Sequence, residues 1–261
     1  MNYTLLGILM IGGPALYAAL GVLISRKVLH GRVQEGHNDV CVPIFLNAGV
    51  LFAVLLGFMV IAVWESYDAA KVNVATEATA IVPLYRAAGN LTPEAASRIR
   101  EITREYLHAV IEDEWEKQAT SGQASSKARK QIGDLFRTFG DGTISTQTKK
   151  DFPMTCNTVM QCISDVTNDR NKRNLQANEE IPPLMWFTIL GGALVIVTMS
   201  FLIYMERPLP HMIMAGLMGA LIGLLLFSCL ILSHPFRGPT AITAESFEKI
   251  LLVLDDIDRG N

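Results

Sequence analysis

The chain has 261 residues, of which half are hydrophobic and only 18% are charged, and its formal net charge is −3. A soluble domain carries about 25% charged residues, so this composition is typical of a membrane protein. The negative net charge argues against a nucleic-acid partner, because nucleic-acid binding needs a basic surface.

Four long stretches contain no Asp, Glu, Lys or Arg: residues 5–25, 40–64, 181–205 and 208–235. A bilayer core of about 30 Å requires roughly 20 apolar helical residues to cross it. The sequence therefore predicts an all-α polytopic membrane protein with four transmembrane helices, near 5–25, 40–64, 183–205 and 211–234. The predicted parts are a first hairpin (1–64), a helical extramembrane domain (65–182), a second hairpin (183–235) and a tail (236–261).

The first predicted membrane helix has no Lys or Arg before its apolar run, and Arg26 and Lys27 follow that run. A cleaved signal peptide has a positively charged segment before its apolar core. We therefore expect this helix to be retained.

The second predicted membrane helix ends near Trp64 and Tyr67, two residue types that favour the headgroup zone of a bilayer. No turn signal follows, and an alanine-rich run continues the helical pattern. We expect the helix to continue beyond the membrane and to end either at Pro83 or at Gly89-Asn90.

Three apolar residues of this second helix, Val50, Val54 and Phe58, recur every four residues and therefore lie on one stripe. The stripe can pack against another helix or face lipid, and the spacing alone favours that interpretation. The other interpretation is a hydrophobic constriction, formed when several copies of the helix surround one axis. Such constrictions gate channels by dewetting.

The segment between the two hairpins shows helical periodicity and no alternating strand pattern of useful length. One predicted helix begins at Thr92-Pro93. A second begins at Ser125 or Ser126 and ends at Gly140-Asp141-Gly142, and a third spans about residues 154–177. The middle segment is therefore predicted to be all-helical.

The sequence contains two acidic clusters, and a cation site is one interpretation of the first. On a helix, the members of the first cluster turn to different faces, and they lack the spacing of a calcium loop. We interpret the first cluster as a solvated helix face and the second as a frayed, solvated end. These clusters are Glu112, Asp113, Glu114 and Glu116, and Asp255, Asp256 and Asp258. No metal and no cofactor are predicted.

Trp186 marks the interfacial start of the third predicted membrane helix. In the fourth, Ala215, Gly219 and Gly223 form a stripe of small residues suited to close helix contact. The link between these two helices is so short that they must form an antiparallel hairpin.

The distribution of basic residues does not decide which side of the membrane the middle segment occupies. The four cysteines lack the spacing of a zinc site or a redox motif, which is consistent with reduced thiols in a cytosolic domain. We therefore expect a cytosolic middle domain. In one orientation the basic residues on the cytosolic side are Arg26, Lys27, Arg32 and Arg207. In the other orientation they are Lys71, Arg170, Lys172, Arg173, Arg237 and Lys249.

Two segments carry a family resemblance. The first runs from His37-Asn38-Asp39 through Gly57-Phe58 to the Trp-Glu-Ser-Tyr-Asp run at 64–68. The second is His-Pro-Phe-Arg-Gly at 234–238, with Pro235, Phe236 and Gly238 as the tail motif. The sequence resembles the bestrophin-like family of bacterial membrane proteins over essentially its whole length.

This resemblance implies a distant relationship to bestrophins, which are pentameric anion channels with two membrane hairpins and a cytosolic helical domain. The second helix of bestrophins lines the pore and carries a neck of three apolar residues spaced four apart. Matching Gly57-Phe58 to the end of that neck places Val50, Val54 and Phe58 there. Bestrophin tails continue with acidic residues that hold calcium, whereas Pro-Thr-Ala-Ile-Thr-Ala follows Gly238 here.

The expected function is a homo-oligomeric ion channel, pentameric by resemblance, that conducts inorganic anions across a bacterial inner membrane. The alternative is a non-conducting scaffold or signalling protein whose helical domain binds a cytosolic partner. The lack of charge inside the membrane segments argues against a proton-coupled transporter, but it does not separate these two hypotheses. No catalytic motif is visible, so no enzymatic activity is predicted.

Overall fold

The computed structural model describes residues 2–28, 35–140, 144–178 and 181–260. All regular elements in these ranges are helices, so the predicted all-α class is confirmed. Four helices are long and apolar enough to span a membrane, and the chain is an integral membrane protein. They are α1 (Tyr3–Val28), α2 (Asn38–Ala88), α8 (Pro183–Ser200) and α9 (Pro208–Leu232).

The remaining α-helices are more polar. They are α3 (Pro93–Ala109), α4 (Trp115–Ser121), α5 (Ser126–Gly140), α6 (Thr146–Asp151), α7 (Pro153–Gln176) and α10 (Glu245–Asp258). A π-helical segment, Val110–Glu114, joins α3 to α4 without a break, and a single 3₁₀ turn, Glu35–His37, precedes α2.

The chain divides into two compact units. The membrane unit comprises Met1–Glu65 and Glu180–Ser233, and the helical unit comprises Ser66–Glu179 and His234–Asn261. Helix α2 is continuous and contributes residues to both. Each unit has its own apolar core.

In the membrane unit, α1 and α9 pack at backbone distance. A Cβ atom added at Gly219 would lie 2.5 Å from the carbonyl oxygen of Pro14, and one at Gly223 would overlap the carbonyl oxygen of Met10. Ala215, one turn before Gly219, is also buried. Residues with little or no side chain are what allow two membrane helices to approach this closely.

Helix α8 ends at Ser200, before the predicted end near residue 205. Side chains form hydrogen bonds with the backbone groups that another helical turn would have paired. His211 Nε2 lies 3.0 Å from the carbonyl oxygen of Ser200. Asn38 donates to the carbonyl oxygen of Tyr204 at 2.8 Å and accepts from the Tyr204 N–H at 2.7 Å. The link between α8 and α9 is therefore held in a non-helical turn.

In the helical unit, α2 passes through Pro83 and ends at Ala88, directly before Gly89. Of the two predicted ends, the one at Gly89-Asn90 is therefore confirmed and the one at Pro83 is wrong. Leu84, Tyr85 and Ala88 are all buried in the core of this unit. Their burial stabilises the last turn of α2 enough to offset the hydrogen bond that a proline removes.

The other helix ends of this unit fall close to the predicted positions. Helix α5 begins directly after Ser125, whose Oγ accepts from the N–H of Lys127 at 3.0 Å. It ends at Gly140, the first residue of the predicted stop. The other two residues of that stop, Asp141 and Gly142, lie outside the described residues, as does the basic residue Arg32.

Candidate functional site

An apolar stripe on α2 is part of the exposed surface of the membrane unit. The side chains of Val50, Val54 and Phe58 are 64%, 52% and 66% exposed. At 3.6 residues per turn they share one face, and the buried side chains of the same helix lie on the opposite face. That buried face consists of Phe52, Leu56, Met59 and Val63, which pack in the core of the membrane unit. We call Val50, Val54 and Phe58 the neck stripe.

The buried face fixes the rotation of α2 about its own axis. Phe52 packs so tightly on α8 that a Cβ at Gly192 would lie 2.8 Å from its ring. Because the core holds this face inward, the neck stripe must face away from the protomer. Its chemistry is uniform: three aliphatic or aromatic side chains along about 12 Å of helix, with no ionisable group among them.

Two of the predicted interface residues belong to the membrane unit. Trp64 is exposed next to Glu65, where α2 leaves this unit, and Trp186 packs against the core of the unit in the first turn of α8. In the helical unit, the Tyr67 hydroxyl donates to the carbonyl oxygen of Thr240 at 2.8 Å. An anchoring role for these residues stays a prediction.

The tail motif is built into the core of the helical unit. Phe236 is buried, and its ring meets the ring of Trp115 edge-on, with centroids 6.0 Å apart. Gly238 has a φ of +89°, a conformation that favours glycine. Trp115 Nε1 also donates to the carbonyl oxygen of Ile242 at 3.0 Å. These contacts hold the tail against α4.

A buried charge cluster lies at the centre of the helical unit. Arg173 of α7 forms a two-pronged ion pair with Glu77 of α2, at 2.6 and 2.9 Å, and contacts Glu114 at 3.0 Å. Arg170 contacts the other oxygen of Glu114 at 2.8 Å. The Tyr106 hydroxyl donates to Glu77 at 2.5 Å. Two carboxylates and two guanidinium groups therefore balance each other.

Burial and neighbouring charge shift two pKa values in this cluster. Burial raises the pKa of Tyr106 well above its ordinary value, and the Glu77 carboxylate adds to that shift, so the phenol stays protonated. Burial alone would lower the pKa of Arg173, but Glu77 and Glu114 raise it above its ordinary value. Arg173 therefore remains charged although it is completely buried.

The interpretation of the first acidic cluster as a solvated face is wrong for two of its members. Glu114 is fully buried by its ion pairs, and Asp113 contacts Lys117 at 2.8 Å and accepts from the Ser125 hydroxyl. Glu114 follows the buried residues Tyr106 and Val110 at spacings of four, so it continues the buried stripe of α3. Hydrogen bonds from Lys117 and Ser125 lower the pKa of Asp113.

The second acidic cluster is also more ordered than predicted. Helix α10 continues to Asp258, which lies 2.8 Å from Arg104 and 3.3 Å from Arg100. Asp255 contacts Arg104 as well, at 2.8 Å. The expected frayed end is therefore wrong: this end of α10 is tied to α3.

Comparison with known families adds the context for these sites. The family model described as a bestrophin-like domain matches residues 12–247. This chain belongs to the bestrophin-like family. The bestrophin-like match extends from α1 to the first turn of α10, so it includes the neck stripe and the tail motif. Comparisons with curated proteins and with solved structures found no match.

Proposed function

We propose that this bestrophin-like protein forms a homo-oligomeric ion channel in which α2 lines the pore. The observation that carries the proposal is the neck stripe, three exposed apolar residues opposite the packed face of α2. One helix cannot enclose a pore, so several protomers would have to place this stripe around a common axis. By resemblance to bestrophins, the number of protomers is five.

In such an assembly the neck stripe would form three stacked apolar rings. A narrow apolar ring resists wetting, and an ion that enters it must lose hydration without finding a polar replacement. Phe58 has the largest side chain of the three, so its ring would be the narrowest point. Opening would then require the α2 helices to move apart or rotate until the rings become wet.

The permeant species implied by the resemblance are inorganic anions. The described residues of the neck stripe contain no fixed charge that would attract one sign of ion, so the neck itself would act as a gate. An exposed apolar stripe can equally face lipid acyl chains, and a functional experiment is needed to separate these two arrangements.

That experiment is chloride flux from liposomes containing the purified protein, with its subunit number measured by mass photometry. Phe58→Ala would raise the flux, because it removes the largest ring of the neck. Phe187→Ala is the matched control, since Phe187 of α8 is also largely exposed but lies outside the neck stripe. A monomer without flux in either the parent protein or Phe58→Ala contradicts the channel proposal.

We further propose that the channel lies in a bacterial inner membrane with its helical unit in the cytosol, as the resemblance implies. Lys130→Cys provides a test, because Lys130 of α5 is exposed. A membrane-impermeant maleimide should label this cysteine in lysed cells and leave it unlabelled in intact spheroplasts. Labelling in intact spheroplasts would place the helical unit outside.

The second candidate is a non-conducting scaffold, and a different surface favours it. Met154, Leu175 and Leu252 of the helical unit are exposed apolar side chains, a feature that protein-binding surfaces share. A stoichiometric cytosolic partner that co-purifies with the protein and is lost on Leu175→Glu would support this function. Chloride flux controlled by Phe58 would argue against it.

A further inference from the structure

Two helices of the helical unit carry charged stripes on their outer faces. Three carboxylates and one arginine of α3 recur at spacings of four, three and four, so they share one face, and all four side chains are exposed. Three basic residues and one aspartate of α5 recur at spacings of three, four and three, and all but the partly buried aspartate are exposed. We call these sets the acidic stripe (Glu94, Arg98, Glu101 and Glu105) and the basic stripe (Lys127, Lys130, Asp134 and Arg137).

The order of charges on the two stripes is complementary. Read from its N-terminal end, the acidic stripe is negative, positive, negative, negative. Read from its C-terminal end, the basic stripe is positive, negative, positive, positive. Two helices laid side by side in opposite directions would therefore bring unlike charges together at all four positions. The lengths also agree, because the acidic stripe rises about 16 Å along α3 and the basic stripe about 15 Å along α5.

Within one protomer this complementarity is not used. Arg98 pairs with Glu101 at 2.7 Å, and Arg137 pairs with Asp134 at 2.7 Å, so both ion pairs stay within their own helix. Among the described residues, no ion pair joins the acidic stripe to the basic stripe. Each stripe therefore presents an excess of one charge to the surroundings of the protomer.

The opposite charges next to the stripes have closer partners elsewhere. On α3, Arg100 and Arg104 pair with aspartates of α10. Beside α5, Asp113 lies 3.7 Å from Lys127 but only 2.8 Å from Lys117. With three carboxylates and one guanidinium group, the acidic stripe has a net charge of −2, and the basic stripe has +2.

The two helices run in opposite directions within a protomer. Helix α5 packs on α3. Ser125, directly before α5, contacts Asp113 and Glu114, which lie just beyond the C-terminal end of α3. Helix α5 therefore starts beside the end of α3 and runs back along it. Copies related by rotation about an axis along these helices keep both directions, so α3 of one copy would be antiparallel to α5 of the next, as the charge order requires.

We propose that the acidic stripe of one protomer binds the basic stripe of a neighbouring copy of this chain. The resulting pairs are Glu94–Arg137, Arg98–Asp134, Glu101–Lys130 and Glu105–Lys127. Each surface ion pair contributes little, so this contact determines which faces meet rather than holding the assembly together alone. The pairs lie at the rim of the interface and stay in contact with water. The inference rests on the homo-oligomer of the proposed function but not on its pore.

The test is sedimentation of the full-length protein in detergent over a dilution series, which gives the concentration at which half of the oligomer dissociates. Glu101→Lys/Glu105→Lys should raise this concentration about tenfold, because two attractive contacts become repulsive. Lys127→Glu/Lys130→Glu should have the same effect. The control is Glu245→Lys/Glu248→Lys on the exposed face of α10, which breaks an ion pair within a helix as well but should leave the concentration unchanged.

The decisive variant combines all four substitutions of the two stripes, which restores unlike charges with the signs exchanged. It should recover the dissociation concentration of the parent protein. The pair between Arg98 and Glu101 stays broken in this variant, so recovery cannot come from repair of α3 itself. An oligomeric parent whose stripe variants dissociate as it does, or a combined variant without recovery, overturns this interface alone. A parent that is monomeric at every concentration overturns the homo-oligomer of the proposed function as well.

Discussion

Arg173 and Glu77 form a fully buried ion pair between α7 and α2, with both guanidinium contacts at 2.9 Å or less and both side chains completely excluded from solvent. The guanidinium group also stacks over the ring of Trp115, 5.2 Å from its centroid. A buried charge is tolerated only where such partners replace water. Arg173 therefore connects α2, α4 and α7 in the helical unit.

Replacing Arg173 with methionine should strongly destabilise the helical unit. It would leave Glu77 buried without its main partner, and breaking one side of a buried pair costs about 3–5 kcal/mol. Thermal unfolding of the purified protein measures the loss. The control is Arg98→Met, because Arg98 pairs with Glu101 on the surface, where such pairs contribute about 0–1 kcal/mol. Similar melting temperatures for the two variants would contradict a stabilising role for the buried pair.

A single added methyl group at Gly219 should weaken the contact between α1 and α9. The Cβ of Gly219→Ala would lie 2.5 Å from the carbonyl oxygen of Pro14, a backbone atom that cannot rotate away. Overpacking of this kind costs about 1–3 kcal/mol. At Gly216 the corresponding distance to Ala15 is an ordinary 3.6 Å, so Gly216→Ala is the control. Thermal unfolding in detergent should give a lower melting temperature for Gly219→Ala than for Gly216→Ala. Equal melting temperatures would show that α1 and α9 can move apart.

The acid stability of the helical unit should depend on Asp258. Burial opposes its ionisation, but hydrogen bonds from Tyr85 and Arg104 and the nearby charge of Arg100 leave its pKa below the ordinary value. A lowered pKa means that Asp258 stabilises the fold at pH above about 4, the ordinary value for Asp, and that this contribution is lost as the pH falls through the folded-state value.

The measurement for Asp258 is the melting temperature as a function of pH. Asp258→Asn should lower the melting temperature at neutral pH. It should also make the melting temperature fall less steeply in acid, because the variant no longer has a carboxylate to protonate. Asp256→Asn is the control, since Asp256 is mostly exposed and its ion pair is with Arg259, a surface residue, at 3.7 Å. If both variants follow the acid profile of the parent protein, Asp258 does not contribute to acid stability.

The membrane helices could be predicted because composition alone determines them: a charge-free stretch of the right length has one stable arrangement in a bilayer. The buried charge cluster was missed although its signal was present. Val159, Ile163, Val166, Arg170 and Arg173 follow one another at spacings of four and three, so the two arginines continue the buried stripe of α7. An arginine is usually a surface residue, whereas the position of these two on the apolar stripe indicates burial.

The burial of Glu114 has the same kind of signal, because it continues the stripe of Tyr106 and Val110 at a spacing of four. The end of α8 at Ser200 has no such signal, because it is set by Asn38 and His211, which come from other helices. There tertiary contacts override the helical pattern, so the membrane spans were easier to predict than the turn between α8 and α9.

Replacing Glu65 should change the charge selectivity of the proposed channel. This residue is exposed and follows Phe58 by seven positions, so it falls within about 20° of the neck stripe at the end of the membrane part of α2. In an assembly that places the stripe on an axis, Glu65 would form a ring of carboxylates, and such rings attract cations and repel anions. Glu65→Gln should therefore raise the chloride-to-sodium permeability ratio, and Glu65→Lys should raise it further.

The measurement is the reversal potential of the reconstituted protein in a sodium chloride gradient. Glu94→Gln is the control, because it removes the same charge as Glu65→Gln. Glu94 is an exposed carboxylate in the first turn of α3, far along the chain from the neck stripe. If Glu65→Gln and Glu94→Gln give the parent's reversal potential while Phe58→Ala still raises the flux, the neck lines the pore but Glu65 does not face it. No current from any variant would instead contradict the pore itself, so the two failures can be told apart.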